Sequence, residues 1–360
     1  MSLASSPSYI ALDVLKERWL PFYGKGAFDH CLAIVDEQVA AKAAPRLAPL
    51  WSCIDSADRL IIPGGEEVKS LSHVGETIDW LLTRSATRST LLVAVGGGAL
   101  LDFVGFVASI YKRGIPCVYV PTTLMAMIDA SIGGKTAVDY AGVKNLLGAF
   151  SLPRAVMIDP QFLSTLPQEE ILSGYWELVK YGLLSSGNLW QEIKAFDPLG
   201  SIDSWLPFIN RSVAIKEQFV EADFTDKGLR QWLNLGHTIG HGVEGLSHIR
   251  AQEGSSRVLR HGEAVAIGLL CELYLSHILL GAEKSYLTDL ISLMRESFSP
   301  YTFSCKHYPT ILSLLHQDKK NEDDTVSIIA FKSLGQMEKV SCTDDLLKES
   351  LDFYREMFGQ

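Results

Sequence analysis

The first half of the chain alternates short, continuously apolar runs with amphipathic helical stretches, and this alternation leaves few possible folds. Runs at 31–36, 59–63, 90–98 and 115–121 are rich in Val, Ile and Leu and end at Gly, Pro or Asp. An amphipathic stretch such as 70–85 separates one run from the next. Continuous apolar strands that alternate with helices are typical of a parallel sheet covered on both faces. Ligands of such sheets bind beyond the carboxyl ends of the strands, so the loops after these runs are candidate binding loops.

Beyond about residue 160, helical periodicity replaces the strand pattern. This change predicts an α/β domain followed by a helical one, with the two halves packed directly and a cleft between them. The helices predicted for the second half lie at 167–186, 204–223, 229–246, 262–281, 284–297 and 309–317.

Charge and composition exclude several classes of protein. The net charge of −10 argues against nonspecific binding to nucleic acid or to an anionic membrane, although local basic clusters can still bind a small anionic substrate. The N-terminal sequence does not have the pattern of a signal peptide, and the six cysteines lie far apart with no CxxC pair. The apolar run at 264–282 carries Glu272 and His277, which predicts a buried helix instead of a membrane span. We therefore expect a cytoplasmic protein with reduced thiols and with no nucleic-acid or membrane partner.

A glycine-rich segment, GGGALLD at 96–102, follows one apolar run and begins a helical pattern. Successive glycines let backbone N–H groups approach a pyrophosphate at a helix N-terminus, where the helix dipole also favours an anion. A plain tight turn fits the same residues. Asp36, at the end of CLAIVD, fits either a ribose contact or an N-cap. The GGKT sequence at 133–136 lacks the upstream glycine of a P-loop, so it does not predict hydrolysis of a nucleoside triphosphate.

Polar residues in the second half fall at helical spacing. One stripe, at i, i+4, i+7 and i+11, is predicted for Arg230, Asn234, His237 and His241. Histidines four residues apart on a helix can bind a metal ion, although a solvated face has the same pattern. Core, capping and ligand roles all stay open for two further pairs, Glu177 with Lys180 and His261 with Glu263.

Two segments, PTTLMAMIDASIGGKTAVD (121–139) and LNLGHTIGHGVE (233–244), make the chain resemble the 3-dehydroquinate synthase family of sugar phosphate cyclases, and the resemblance runs from about Asp36 to Lys320. It implies an N-terminal Rossmann-like α/β domain at 1–160 that binds NAD and an all-α domain at 161–360 that binds metal and substrate. The active site is expected in the cleft between the domains of a homodimer. The implied reaction, in the shikimate pathway of aromatic amino acid biosynthesis, converts 3-deoxy-D-arabino-heptulosonate 7-phosphate to 3-dehydroquinate and phosphate.

The resemblance also implies roles for individual residues. The NAD-contacting set is Asp36, Glu66, Lys69, Gly97, Gly98, Asp102, Thr122, Thr123, Asp129, Lys135, Lys144, Phe162 and Thr165. The ligands of a Zn²⁺ or Co²⁺ ion are Glu177, His237 and His261. His241 matches a proton-relay position. The anionic sugar phosphate is expected to contact Arg113, Lys135, Asn145, Lys180, Lys216, Arg230, Asn234 and a lysine of the DKK run at 318–320, taken as Lys320.

The expected chemistry is that of a lyase: NAD transiently oxidises the substrate, phosphate is eliminated, the hydride returns, and an intramolecular aldol reaction closes the ring. Departures from the family pattern occur at Leu101, Val143 and Trp176, and none of them removes a reacting group. Three other interpretations compete. They are a cyclase that makes another ring, such as 2-deoxy-scyllo-inosose or valiolone synthase, an NAD- and metal-dependent polyol dehydrogenase, and a nucleotide-binding remnant without catalysis. The pattern of Asn234, His241 and the DKK run favours 3-dehydroquinate synthesis.

Overall fold

The computed structural model describes residues 8–24, 28–317 and 325–359. Contacts divide the chain into two compact units. Unit 1 is Met1–Ile171 with Leu199–Thr225, and unit 2 is Leu172–Pro198 with Asp226–Gln360. The division differs from the predicted 1–160 and 161–360 in one main respect, because a helical segment beyond residue 198 belongs to unit 1.

The elements are numbered in chain order. The strands are β1 (Ser8–Ile10), β2 (Cys31–Asp36), β3 (Arg59–Ile62), β4 (Leu91–Gly96), β5 (Cys117–Pro121), β6 (Lys135–Tyr140), β7 (Val143–Phe150), β8 (Ala155–Ile158), β9 (Val326–Ser333) and β10 (Gln336–Cys342). The helices are α1 (Leu20–Tyr23), α2 (Glu37–Lys42), α3 (Ala44–Trp51), α4 (Leu71–Thr83), α5 (Gly98–Ile110), α6 (Gln168–Leu184), α7 (Leu189–Lys194), α8 (Trp205–Ala222), α9 (His237–Gln252), α10 (His261–Leu280), α11 (Lys284–Ser297), α12 (Tyr308–His316) and α13 (Asp344–Phe358).

The sheet of unit 1 is parallel, as the continuous apolar runs predict. Its described strands follow the order β1-β8-β5-β4-β2-β3, and neighbouring strands pair in parallel throughout. The interior strands β2 and β4 are almost entirely buried, as expected of a parallel sheet that is covered on both faces. The carboxyl ends of β2, β4 and β5 lie side by side, since Val35 of β2 pairs with Val95 of β4, and Gly96 of β4 pairs with Pro121 of β5. This edge of the sheet is where a ligand is expected.

An antiparallel hairpin of β6 and β7 follows the sheet strand β5. Lys135 pairs with Phe150 across it, and β7 is largely exposed. Just before the hairpin, Ala126–Ala130 forms one turn of π-helix, an irregular geometry that is frequent at functional sites. The sequence pattern did not predict this hairpin, because alternation is weak around its glycines.

Unit 2 is built around the apolar helix α10. The helix packs against α9, α11, α13 and β9. By length and composition it could cross a membrane, but 72% of its apolar window is buried inside the protein, as expected for a core helix. The hairpin of β9 and β10 also belongs to this unit, so the predicted all-α domain is helical with one antiparallel hairpin added.

One predicted helix is wrong. The stretch 229–246 is not continuous, because Leu229–Asn234 is a short 3₁₀ helix and α9 begins only at His237. Between them Gly236 has φ +79°, a left-handed conformation that ends one helix before the next begins. The single stripe predicted for Arg230, Asn234, His237 and His241 therefore does not exist as one helix face. Only the two histidines share a helix.

Candidate functional site

Glu177, His237 and His261 converge in unit 2 although each lies on a different helix. Glu177 projects from α6, and the other two are the first residues of α9 and α10. Oε1 of Glu177 lies 3.2 Å from Nε2 of His237 and 3.3 Å from Nε2 of His261. One ligand atom from each residue lies within 4.8 Å of the others. A carboxylate with two imidazoles is a donor set that suits zinc or cobalt and leaves coordination positions open.

A close contact fixes the start of α10 against α6. The backbone N–H of Gly262 donates to Oγ of Ser173 at 3.1 Å. A Cβ at Gly262 would lie 1.8 Å from the carbonyl oxygen of Ser173, so only glycine fits there. Ser173 is one helical turn before Glu177, and Gly262 directly follows His261. The contact therefore sets the distance between these two candidate ligands.

Glycines also bring α9 and α10 together. A Cβ at Gly268 would lie 1.8 Å from the carbonyl oxygen of Gly236, and a Cβ at Gly240 would lie 2.7 Å from that of Ala264. These pairs run in opposite directions along the two helices, so the helices are antiparallel. The register places His237, next to Gly236, near His261.

Glu272 replaces the missing cap of α9. The N-cap residue Gly236 has no side chain, and the fully buried carboxylate of Glu272 on α10 accepts its N–H at 2.6 Å and that of Ile239 at 3.2 Å. Burial raises the pKa of Glu272 to about 8, against the lowering effect of these N–H donors. The helix that begins with His237 is thus held by a carboxylate from the helix that begins with His261.

The charges around the three candidate ligands are coupled. Burial would raise the pKa of Glu177, but the Lys180 ammonium, 2.6 Å from its Oε2, and His237 hold that pKa well below its usual range. Burial lowers the pKa of His237. Burial also favours neutral His261, but hydrogen bonds with Glu177 and Glu244 outweigh it and raise the pKa of His261 to about 10. Without a metal ion, His261 is therefore the protonated member of the cluster.

The proton-relay candidate His241 adjoins the same cluster. Its ring lies 5.4 Å from the ring of His237 and 5.6 Å from that of His261. Desolvation and the two neighbouring imidazoles lower its pKa, which favours a neutral ring able to accept a proton. Arg230, only 2% exposed, and Asn234 lie on the preceding 3₁₀ turn.

Several predicted NAD contacts lie together at the carboxyl ends of β4 and β5 in unit 1. Gly97 is the N-cap of α5, and a Cβ there would lie 3.2 Å from the side chain of Thr123. Gly98 begins the helix, and the N–H groups and dipole at a helix N-terminus favour an anion there. Oγ1 of Thr122 is buried and has no hydrogen-bond partner among the described residues. The loop is therefore shaped for a ligand with acceptor groups.

Asp36 takes the predicted N-cap role, and its contact with a ribose stays a prediction. Its Oδ1 accepts the backbone N–H of Gln38 at 2.7 Å, so it caps α2. Its other oxygen, Oδ2, points at Gly64, where a Cβ would lie only 1.9 Å away. Oδ1 therefore carries the capping bond to Gln38, and Oδ2 lies close to the backbone of Gly64.

Lys69 is the centre of a polar cluster that the sequence did not predict. The lysine is only 3% exposed. Its Nζ lies 3.1 Å from Oδ2 of Asp102 and 3.3 Å from Oε1 of Glu66. The same Nζ donates a hydrogen bond to Oδ1 of Asn145. Asn145 adopts φ +54°, and its N–H donates to Asp139 at 2.7 Å. Burial raises the pKa of Asp102 to about 6, with Lys69 acting against the rise. Lys69 therefore contacts residues expected at NAD and at substrate.

The remaining predicted residues fall into separate places. Nζ of Lys216 on α8 donates to the carbonyl oxygen of Asp129 at 2.7 Å, whereas Lys135 and Lys144 lie on the exposed hairpin of β6 and β7. Phe162 is fully buried, and Oγ1 of Thr165 donates to its carbonyl oxygen at 2.8 Å. Asp318, Lys319 and Lys320 lie outside the described residues.

Arg113 is not brought to the others within unit 1. It lies just beyond the C-terminus of α5, whereas the glycine loop is at the N-terminus of that helix. The 13 residues of α5 span roughly 20 Å at 1.5 Å per residue.

Three residues that contribute to the cluster of candidate metal ligands were not assigned from the sequence. They are Ser173, Glu244 and Glu272. Glu244 lies in the motif LNLGHTIGHGVE and Glu272 is a charge inside an apolar run, so both gave a signal. Neither sequence signal identifies the residue that the carboxylate contacts, because that residue lies on another helix.

Comparison with known proteins gives matches over nearly the whole chain. A family model described as 3-dehydroquinate synthase N-terminal matches residues 59–173, and one described as 3-dehydroquinate synthase C-terminal matches 174–321. A 3-dehydroquinate synthase of Parabacteroides distasonis is 37% identical over 347 residues, which cover 96% of this chain and 97% of that protein.

Solved structures of related cyclases have the same fold. A 2-deoxy-scyllo-inosose synthase complexed with carbaglucose-6-phosphate, NAD⁺ and Co²⁺ is 25% identical, with a TM-score of 0.82 over 97% of this chain and 96% of that one. The 2-epi-5-epi-valiolone synthase of Streptomyces hygroscopicus subsp. jinggangensis, with NAD⁺ and Zn²⁺ bound, is 25% identical, with a TM-score of 0.83 over 99% and 98% of the two chains.

Proposed function

The chain belongs to the 3-dehydroquinate synthase family, and from that premise we propose that it converts 3-deoxy-D-arabino-heptulosonate 7-phosphate to 3-dehydroquinate and phosphate. The observation that carries the proposal is the convergence of Glu177, His237 and His261 on one point. The enzyme would be a carbon–oxygen lyase that depends on NAD and on Zn²⁺ or Co²⁺.

The donor set supports a metal ion held by Glu177, His237 and His261. When bound, the ion would act as a Lewis acid that lowers the pKa of a substrate hydroxyl. Lys180 keeps the carboxylate of Glu177 ionised and so prepares it as a ligand. Burial of His237 keeps that imidazole neutral, which leaves its nitrogen lone pair available.

The glycine loop and its surroundings support NAD binding in unit 1. When bound, NAD would accept a hydride from the substrate and later return it. Gly97 and Gly98 would hold the pyrophosphate at the start of α5, and Oδ2 of Asp36 would accept from a ribose hydroxyl. Thr122, whose buried hydroxyl has no partner among the described residues, would donate to the cofactor.

Basic side chains would bind the two anionic groups of the substrate. In unit 1 we assign this role to Lys135 and Lys216, and in unit 2 to Lys180 and Arg230. Asn145 and Asn234 would hydrogen-bond substrate hydroxyls. Arg113 stays a predicted substrate contact, and the length of α5 separates it from the glycine loop of its own chain.

His241 is assigned to proton transfer. Its neutral ring adjoins two of the three candidate ligands but has a separate position on α9. A neutral imidazole beside the reacting centre can accept a proton from a substrate hydroxyl and return it later. Lys69 would keep Asp102 and Asn145 in place by its hydrogen bonds to both.

The decisive assay measures phosphate release from the heptulosonate phosphate, with and without a chelator, while absorbance at the NADH band is followed. We expect chelator-sensitive phosphate release with no net NADH. Accumulation of NADH in step with turnover would indicate a polyol dehydrogenase instead. Release of phosphate from glucose 6-phosphate, but not from the heptulosonate phosphate, would indicate a cyclase that makes another ring.

A matched pair of variants tests the metal assignment. Glu177→Gln should abolish turnover while NAD binding survives, because the ligand loses its charge. Glu253→Gln, an exposed position at the end of α9, removes the same charge and should behave as wild type. Equal rates in the two variants would exclude Glu177 as a ligand.

Family resemblance also supports a cytoplasmic homodimer. Light scattering of the purified protein tests the oligomeric state, and a monomer at working concentrations would contradict it.

A further inference from the structure

The imidazole of His261 lies between two carboxylates. Its Nε2 is 3.3 Å from Oε1 of Glu177, and its Nδ1 is 3.1 Å from Oε2 of Glu244. Glu244 lies on α9 and its side chain is 13% exposed, whereas the side chain of His261 is 32% exposed. The two ring nitrogens thus have different partners.

We propose that Glu244 is a positioning residue that fixes the tautomer and the ring orientation of His261, so that Nε2 points to the metal ion. The inference rests on the proposed function, in which His261 is a ligand. A neutral imidazole carries one N–H, and the nitrogen that binds metal must be the other one. A carboxylate that accepts the Nδ1–H holds the proton on that side and makes the imidazole a better ligand.

The packing of α9 on α10 explains why Glu244 reaches this position. Gly236 lies against Gly268 and Gly240 against Ala264, four residues further along α9 and four residues back along α10. One more turn along α9 brings Glu244 to the first turn of α10, where His261 begins the helix. The same register of α9 on α10 places both the Glu244 carboxylate and His237 next to His261.

A competing arrangement uses the same atoms. Ligand atoms of His241, Glu244 and His261 also lie within 4.8 Å of one another, so Glu244 could itself be a ligand. That site would use Nδ1 of His261, whereas the group with Glu177 uses Nε2. Of the two carboxylates, Glu177 is the deeper, 1% exposed against 13%, and it contacts two imidazoles at 3.2 and 3.3 Å. The other carboxylate oxygen of Glu244 lies 3.9 Å from His248, beyond hydrogen-bond distance.

The test measures Co²⁺ binding without substrate. Wild type, Glu244→Ala, Glu244→Gln, Glu177→Gln and the control Glu253→Gln are stripped of metal and titrated with Co²⁺ against a chromophoric chelator, and the visible spectrum of each complex is recorded. We expect Glu244→Ala to weaken Co²⁺ binding about 10- to 100-fold. Its Co²⁺ complex should still show the ligand-field bands of the wild-type complex. Glu244→Gln, whose amide oxygen can still accept the Nδ1–H, should recover part of that loss. Glu177→Gln should lose Co²⁺ binding, and Glu253→Gln should match wild type.

Three results would overturn the assignment. If Glu244→Ala and Glu244→Gln both bind Co²⁺ within threefold of Glu253→Gln, Glu244 does not position the ligand, and the proposed function is untouched. If Glu244→Ala abolishes the Co²⁺ bands while Glu177→Gln keeps them, Glu244 is a ligand. If wild type itself takes up no Co²⁺, the proposed function fails and this inference fails with it.

Discussion

Replacing Gly268 with alanine tests whether the contact between α9 and α10 sets the geometry of the candidate metal ligands. A Cβ at this position would lie 1.8 Å from the carbonyl oxygen of Gly236 and 2.8 Å from the backbone nitrogen of Gly240. Ordinary contacts of a Cβ begin near 3.4 Å. Both obstacles are backbone atoms that cannot rotate away, so α9 would have to move by about 1.6 Å, the difference between 3.4 and 1.8 Å.

The cost follows from two opposing effects. Inserting a methyl group into a packed interior costs about 1–3 kcal/mol and more where the backbone must shift, so the upper end applies. Alanine is favoured over glycine inside a helix by about 1 kcal/mol. We therefore expect Gly268→Ala to lower the free energy of unfolding of the metal-free protein by about 2 kcal/mol or more. His237 directly follows Gly236, and a metal site tolerates about 0.2 Å of ligand movement, so Co²⁺ affinity should fall at least about tenfold.

Urea denaturation and Co²⁺ titration measure the two effects. The matched control is Gly75→Ala in the middle of α4, where a Cβ would meet nothing within 4 Å. That variant should be as stable as wild type or slightly more so. If Gly268→Ala unfolds at the same urea concentration as Gly75→Ala and binds Co²⁺ like wild type, the two helices do not control the site.

Three further outcomes are expected. Glu272 has a folded pKa of about 8, above its ordinary value of 4.5, so the stability it contributes is full below pH 4.5 and is lost as pH rises through 8. The free energy of unfolding of wild type, relative to that of Glu272→Gln, should therefore fall between pH 5 and 9. A rise over this range would contradict the raised pKa. Co²⁺ must displace the proton of His261, whose pKa is about 10, so the Co²⁺ dissociation constant should decrease from pH 6 to 9 and binding should release a proton. Binding that does not depend on pH would argue against a protonated His261 in the metal-free protein. Asp36→Asn keeps an equivalent N-cap, so its free energy of unfolding should lie within about 0.5 kcal/mol of that of wild type. Calorimetric titration should show weaker NAD binding, and unchanged NAD affinity would exclude Asp36 from the cofactor site.

The parallel sheet illustrates what local pattern can predict. The runs at 31–36, 59–63 and 115–121 contain β2, β3 and β5 to within two residues, because a buried parallel strand needs a continuous apolar sequence. The hairpin of β6 with β7 was missed, since the exposed strand β7 needs little apolar sequence and depends on cross-strand pairing. The hairpin of β9 with β10 was missed although β9 is apolar and mostly buried, because a short apolar run fits a buried helix equally well.

The break at Gly236 shows the opposite case. Spacing at i, i+4, i+7 and i+11 is compatible with a helix through 229–246, yet a left-handed glycine divides it. The conformation at Gly236 depends on contacts with Gly268 and Glu272, and these lie on another helix. No local periodicity contains that information.

The sequence by itself determined the order and type of most elements and, through two long motifs, the family and its candidate residues. Helix and strand patterns are local consequences of burying one face, so they can be read from neighbours along the chain. Only the tertiary structure decided that Glu177, His237 and His261 meet, that Glu244 contacts His261, and that Lys69 joins Asp102 to Asn145. Those contacts join residues far apart in sequence, and they depend on how closely backbones approach, which is set by single glycines and buried carboxylates.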